Sequence, residues 1–179
     1  MALQTEPTSF DPGIIGGRLS GEGGVSNFQY FANDALALEI ENDSYVPQLA
    51  IELPSFETGT WRLNPDGTMD TTWRLRPNIK WHDGTPFTAQ DLVFTFSVYN
   101  DPDFPTRAEG RPLMESVSAA DPHTFVVHWK ALFVNAYREP PGDDVMPRHL
   151  LDDLYRTDKN AFVNSPISVP TSSDSARIG

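Results

Sequence analysis

The sequence predicts an α+β domain of mostly antiparallel hairpins with flanking helices, and three observations predict it. Two stretches alternate apolar and polar residues around short turns, as half-buried hairpins do. Stretches with helical apolar spacing lie between and after them. No run of strand–helix–strand units and no internal repeat of roughly 20–50 residues is present, so a parallel sheet and a solenoid are both disfavoured.

Taken in order, Ala2–Gln4 reads as a short strand ended by Glu6-Pro7-Thr8-Ser9-Phe10-Asp11-Pro12, where two prolines remove donors and fix φ. Gly13 to Gly24 holds six glycines and reads as a flexible surface loop. From Ser26 to Leu38, Phe28, Phe31, Leu36 and Leu38 stand at approximate helical spacing, which predicts a helix with Ser26 as its N-cap. Trp61 and Leu63, then Met69, Thr71, Trp73 and Leu75, change the period to two around Asn64-Pro65-Asp66-Gly67 and predict a hairpin. Thr88-Ala89-Gln90-Asp91 has the form of a capping box and opens a helix with Leu92, Val93, Phe96 and Tyr99 as its stripe.

That helix ends before Pro102, because proline disfavours helical geometry in the residue ahead of it. Val117, then Phe125, Val127 and Trp129 beyond Asp121-Pro122-His123, predict a second hairpin. Ala131–Tyr137 reads as a short helix and Pro147–Tyr155 as another, with Pro147 as its first helical residue. The closing run SPISVPTSSDSARIG is polar and aperiodic, and disorder is expected there.

Composition narrows the chemistry. Thirteen Lys and Arg against 25 Asp and Glu leave a net charge of −12 over 179 residues, which argues against a nucleic-acid or anionic-membrane partner. With no cysteine, thiol catalysis, disulfides and Cys-ligated metals are excluded. No window reaches the roughly 18 apolar residues that span a bilayer, and the opening MALQTEPTSF lacks the basic start and apolar run of a signal peptide.

His82-Asp83 has the residue types of a general base with a carboxylate, but neighbours in a turn diverge and no nucleophile motif accompanies them. His123, His128 and His149 form no i, i+4 pair, so zinc is not expected. Asn64–Asp70 lacks the spacing and terminal Glu of a calcium loop. Asp143-Asp144 and Asp152-Asp153 read as solvated charge. Trp61, Trp73 and Trp129 fall on the apolar phase of strands and are expected in the core, whereas Trp81 sits in a turn, where its position leaves core packing and a stacking surface both open. Arg107, Arg111 and Arg138 stand in loops of an acidic chain, where guanidinium groups suit carboxylates, although pairing with Glu109, Glu115 or Glu139 explains them as well. No cofactor is expected.

The run from Thr72 to Phe94, TWRLRPNIKWHDGTPFTAQDLVF, resembles the signature of extracellular solute-binding proteins of the dipeptide, oligopeptide and nickel class that serve ABC importers. Leu3–Pro12, Val46–Ala50, Asp121–Val127 and Met146–Leu150 resemble that family's further segments in the same order, over Ala2 to about Pro166. The resemblance implies part of lobe I of a type II periplasmic-binding-protein-like fold. Residues 1–47 would start the first lobe's main subdomain, 48–165 form its inserted β-rich subdomain, and 166–179 a tail foreign to the pattern. Pro54–Pro65 carries extra residues, and the Gly-rich crossing to a second lobe does not follow Pro166.

By the same resemblance the activity is capture of a peptide or similar small solute between two closing lobes, without catalysis, in an extracytoplasmic space. The partners implied are the solute, the missing second lobe and an ABC permease. Ligand contacts implied are Ser9, Phe10 and Asp11, with Arg107, Arg111, Tyr137 and Arg138 from cleft-side loops. A stand-alone relative acting as a self-associating interaction module is the alternative.

Overall fold

The computed structural model describes residues 35–41, 44–103, 113–137 and 145–163. The expected strand at Ala2–Gln4, the glycine loop, most of the Ser26–Leu38 helix and the tail lie outside them. Two antiparallel sheets form. The smaller pairs β1 (Ala37–Glu41) with β2 (Ser44–Pro47). The larger runs in the order β3-β4-β6-β5, from β3 (Trp61–Leu63), β4 (Met69–Arg74), β5 (Met114–Asp121) and β6 (Thr124–Trp129). Both expected hairpins are present.

Period two places one face of the larger sheet inward. Trp61 lies opposite Thr71 and Thr71 opposite Val127, with Met69 against Trp129 and Trp73 against Phe125 in flanking rows. Trp73, Phe125, Val127 and Trp129 are fully buried, as the apolar phase requires. The one hydroxyl in these rows, Thr71, accepts the Trp129 indole N–H at 3.0 Å.

The two turns carrying Asp-Gly-Thr are built alike. Gly67 and Gly84 take φ of 87° and 88°, a region open to glycine at little cost. The preceding aspartates, Asp66 and Asp83, each accept the backbone N–H two residues on, from Thr68 at 3.0 Å and Thr85 at 2.8 Å. Gly84 donates to Trp81 at 2.9 Å and Trp81 to Thr85 at 2.8 Å, so the chain doubles back and buries Trp81 against Phe87.

Thr88 then opens α1 (Ala89–Tyr99), its backbone N–H donating to Asp91 Oδ2 at 2.8 Å as the capping box predicts. This helix is apolar on two sides. Leu92, Val93 and Phe96 pack on the sheet core, while Phe94, Val98 and Tyr99 join a second core with Met146, Leu151 and Phe162. The partners there belong to α2 (Arg148–Thr157), the segment ahead of it, and α3 (Lys159–Val163).

Three expectations change, and one open alternative is resolved. Ala37 and Leu38 do not end a helix but begin β1, because pairing with Pro47 and Val46 fixes them in extended form. Ala131–Tyr137 is not a helix. Phe133 stacks on Trp129 at 5.2 Å and donates its N–H to Met69 Sδ at 3.5 Å, which lays the segment over the sheet end with a single turn before Tyr137. Pro147 stands just ahead of the first helical residue, its carbonyl accepting from Leu150 and Leu151 at 3.0 and 3.1 Å. Trp81, at 4% exposed, is a core residue and offers no open stacking surface.

Asp91→Ala would leave the N–H groups of Thr88 and Arg148 without their acceptor (2.8 and 3.1 Å). The expected loss is about 2–4 kcal/mol in urea unfolding, against a near-neutral effect of Gln90→Ala on the exposed side.

The α2–α3 unit is also held by Asp101, which accepts from Lys159 Nζ at 2.6 Å and the Tyr155 hydroxyl at 2.6 Å. Those bonds, Lys159 first, lower the Asp101 carboxyl to about 2. A depressed carboxylate stabilises above its unfolded value near 4 and loses that contribution as pH falls toward 2. Acid titration followed by tyrosine absorbance is expected to show this loss, and Asp101→Asn to flatten it.

Candidate functional site

Of the residues implied as solute contacts, Ser9, Phe10, Asp11, Arg107, Arg111 and Arg138 lie outside the described residues. Tyr137 is described. It closes the turn after β6, half-buried, and belongs to a row of four rings. Phe56 stacks on Trp61 with centroids 5.4 Å apart, Trp61 lies 6.4 Å from Tyr137, and Tyr137 meets Tyr45 edge-on at 5.5 Å. The row joins β2, β3, the turn before β3 and the segment after β6. The Tyr45 hydroxyl donates to Glu39 at 2.9 Å, so a carboxylate terminates one end.

The histidines are separated by the fold. His82 does not pair with Asp83, whose carboxylate instead accepts from His149 at 2.7 Å and from the backbone of Thr85. The Thr85 N–H, then His149, lowers Asp83 to about 2. His149 borders an open cavity of about 280 Å³ between this turn and α2, with Thr85, Thr88, Asp91 and Asp152 on its walls. Asp152 is held by Arg156 at 2.7 Å and Arg148 at 3.5 Å, as solvated charge on a helix should be. Asp91, buried beside Thr88, is pushed up by burial against the bonds it accepts.

His128 stands on the opposite face of the sheet. Its Nδ1 lies 2.6 Å from Asp70, and its Nε2 3.4 Å from Glu115. Asp70 also accepts from Arg62 and Asn64, both at 3.1 Å, which makes a polar ladder across all four strands. Its bond to Asp70 raises the His128 pKa. Burial pushes Asp70 up, but the bonds from His128, Asn64 and Arg62 leave it below the usual range.

Residues 45–168 match the family model described as bacterial extracellular solute-binding proteins, family 5, middle region. The chain belongs to that family. The matched range runs from Tyr45 in β2 beyond the end of α3, and so covers the larger sheet, α1 and the ring row.

Among curated proteins, this family 5 chain is 30% identical over 102 residues to the periplasmic murein peptide-binding protein MppA of Escherichia coli (56% of this chain, 16% of MppA). It is 32% identical over 88 residues to the peptidoglycan-binding protein YepA of Agrobacterium fabrum (45% of this chain, 13% of YepA). Among solved structures, the oligopeptide-binding protein of Thermus thermophilus complexed with a pentapeptide shares the fold at TM-score 0.67 and 21% identity, over 79% of this chain and 24% of that one. The Haemophilus influenzae OppA complex with RPPGFSPFR aligns at TM-score 0.58 and 26% identity, over 89% of this chain and 31% of OppA. The family 5 chain thus spans less than a third of the length of each.

The ring row was half legible in sequence. Tyr137 was implied by the family pattern, and Trp61 was expected in the core, but nothing in the spacing joined Tyr45 and Phe56 to them. The bond between Asp83 and His149, 66 residues apart, carried no local signal either.

For His128 the raised value means a contribution present below the unfolded value near 6.5 and lost as pH rises through the folded one. Guanidinium unfolding at pH 6 and pH 8 is expected to show lower stability at pH 8. His128→Gln should reduce the difference.

Proposed function

We propose that this chain forms part of the first lobe of a solute-binding protein that captures peptides or a similar small solute for an ABC importer. It performs no chemistry on its cargo. Residues 1–47 begin the lobe's main subdomain, 48–165 are the inserted β-rich subdomain, and 166–179 lie outside the family pattern. The carrying observation is the family match over 45–168, which falls on nearly the same residues as the proposed subdomain. The names of MppA and YepA, a murein peptide binder and a peptidoglycan binder, support a peptide-bearing cargo, and MppA supports an extracytoplasmic site. Ser9, Phe10, Asp11, Arg107, Arg111, Tyr137 and Arg138 are the proposed contacts, with Tyr137 supported by its place in the ring row.

Solute receptors of two lobes gain affinity by closing over the ligand, and a single lobe forfeits that gain. Calorimetry of this chain with di- and oligopeptides is expected to give dissociation constants weaker than ~1 μM. Submicromolar affinity would overturn the one-lobe reading. In fractionated source cells, antibody to the chain should find its antigen outside the cytoplasmic membrane, and confinement to the cytoplasm would overturn the receptor reading.

One observation favours a second reading, a self-associating module. Phe56, Leu63, Leu132 and Val134 are 61%, 50%, 55% and 64% exposed, and exposed apolar side chains in neighbouring segments favour burial against a partner. Sedimentation that depends on concentration would carry this reading, and a monomer at every concentration would remove it.

A further inference from the structure

Half of the large apolar side chains that are exposed among the described residues, Phe56, Leu63, Leu132 and Val134, belong to β3, the turn before it and the segment after β6. Leu63 pairs with Met69 at the end of β3, and Met69 Sδ accepts the N–H of Phe133, which places Leu132 and Val134 beside the same end. Phe56, in the turn before β3, stacks on Trp61 at an interplanar angle of 29°. Phe56 is 61% exposed, while Trp61 beneath it is 8% exposed and belongs to the core. A ring stacked on a buried indole offers a flat apolar surface to an aromatic ligand.

Among the described residues, two carboxylates stand beside the row. Glu57 follows Phe56 in the same exposed turn, and Glu39 accepts the Tyr45 hydroxyl at the far end of the row. Arg62, the cation adjacent to Trp61 in sequence, belongs to the opposite face, where it bonds Asp70 at 3.1 Å. A second copy of a chain of net charge −12 would bring like charges together around the apolar contact. A ligand that carries positive charge next to an aromatic group gains from both features, and cations gain further over ring faces.

We propose that the Phe56–Trp61–Tyr137 row is a subsite for an aromatic side chain flanked by basic residues in a peptide. This deepens the solute-binding reading and rests on it. It assigns Phe56 and Glu57, which the family pattern did not point to, as residues that set side-chain preference.

Probe peptides Lys-Phe-Lys, Glu-Phe-Glu and Lys-Ala-Lys, titrated to millimolar concentration into the ¹⁵N-labelled chain, test it. Lys-Phe-Lys is expected to move the Trp61 indole N–H signal to saturation, with affinity about tenfold greater than for either of the others. Phe56→Ala should abolish the shift with the rest of the spectrum unchanged, and Glu57→Gln should narrow the gap between Lys-Phe-Lys and Glu-Phe-Glu. Equal responses to all three peptides, or a Trp61 signal that moves on dilution of the chain alone, would overturn the subsite. Peptide-dependent shifts elsewhere that leave Trp61 unmoved would overturn it too while the solute-binding reading stands. No response to any peptide also removes the subsite, and the receptor reading is then judged by fractionation.

Discussion

Everything on the outer side of α1 depends on one pair of buried polar groups a single helical turn apart. Asp91 accepts the N–H of Arg148 at 3.1 Å and the Thr95 hydroxyl accepts the N–H of Met146 at 2.9 Å. Between those donors stands Pro147, which has none. The N–H groups on either side of Pro147 therefore find their acceptors in α1, and the same carboxylate also caps its own helix through Thr88. Burial opposes the charge on Asp91, and the three bonds it accepts offset that cost. An aspartate at this point is thus a joint between two helix starts.

The elements legible in the sequence were those written in local chemistry. Asn64-Pro65-Asp66-Gly67 and Asp121-Pro122-His123 marked the hairpins, and the Thr88–Asp91 box marked α1. The errors came where distant contacts override local spacing. Leu36 and Leu38 carry a helical rhythm, yet Val46 in β2 holds Leu38 extended, and Leu36 accepts the N–H groups of Gln48 and Ala50. Phe133, Ala136 and Tyr137 have the i, i+3, i+4 spacing of a helix, but their surroundings anchor a single turn over Trp129. The hairpin of β1 and β2 and the short α3 announced themselves by neither turn nor period.

For the candidate site the division is sharper. A family pattern can point to a position such as Tyr137 without saying what it touches. The rings meet because β3, the end of β2 and the segment after β6 converge on one corner, and convergence of that kind is a property of topology. The aromatic phase of β3 predicted burial of Trp61, and it gave no sign that a neighbouring turn would lay Phe56 across it. In the same way His82-Asp83 offered a suggestive dipeptide, while the bond that forms reaches His149 in a helix far along the chain.

The two-sided apolar character of α1 has a consequence for how the chain is made. Its sheet-facing side can be covered once β6 is complete, but Phe94, Val98 and Tyr99 wait for Leu151 and Phe162. At about 5–20 residues per second, the roughly 70 residues between Phe94 and Phe162 take several seconds to appear on the ribosome. From the completion of β6 at Trp129 until Phe162 follows, the nascent chain carries a finished hairpin core with an uncovered helix face, a natural point of attachment for a chaperone and a natural point of failure without one.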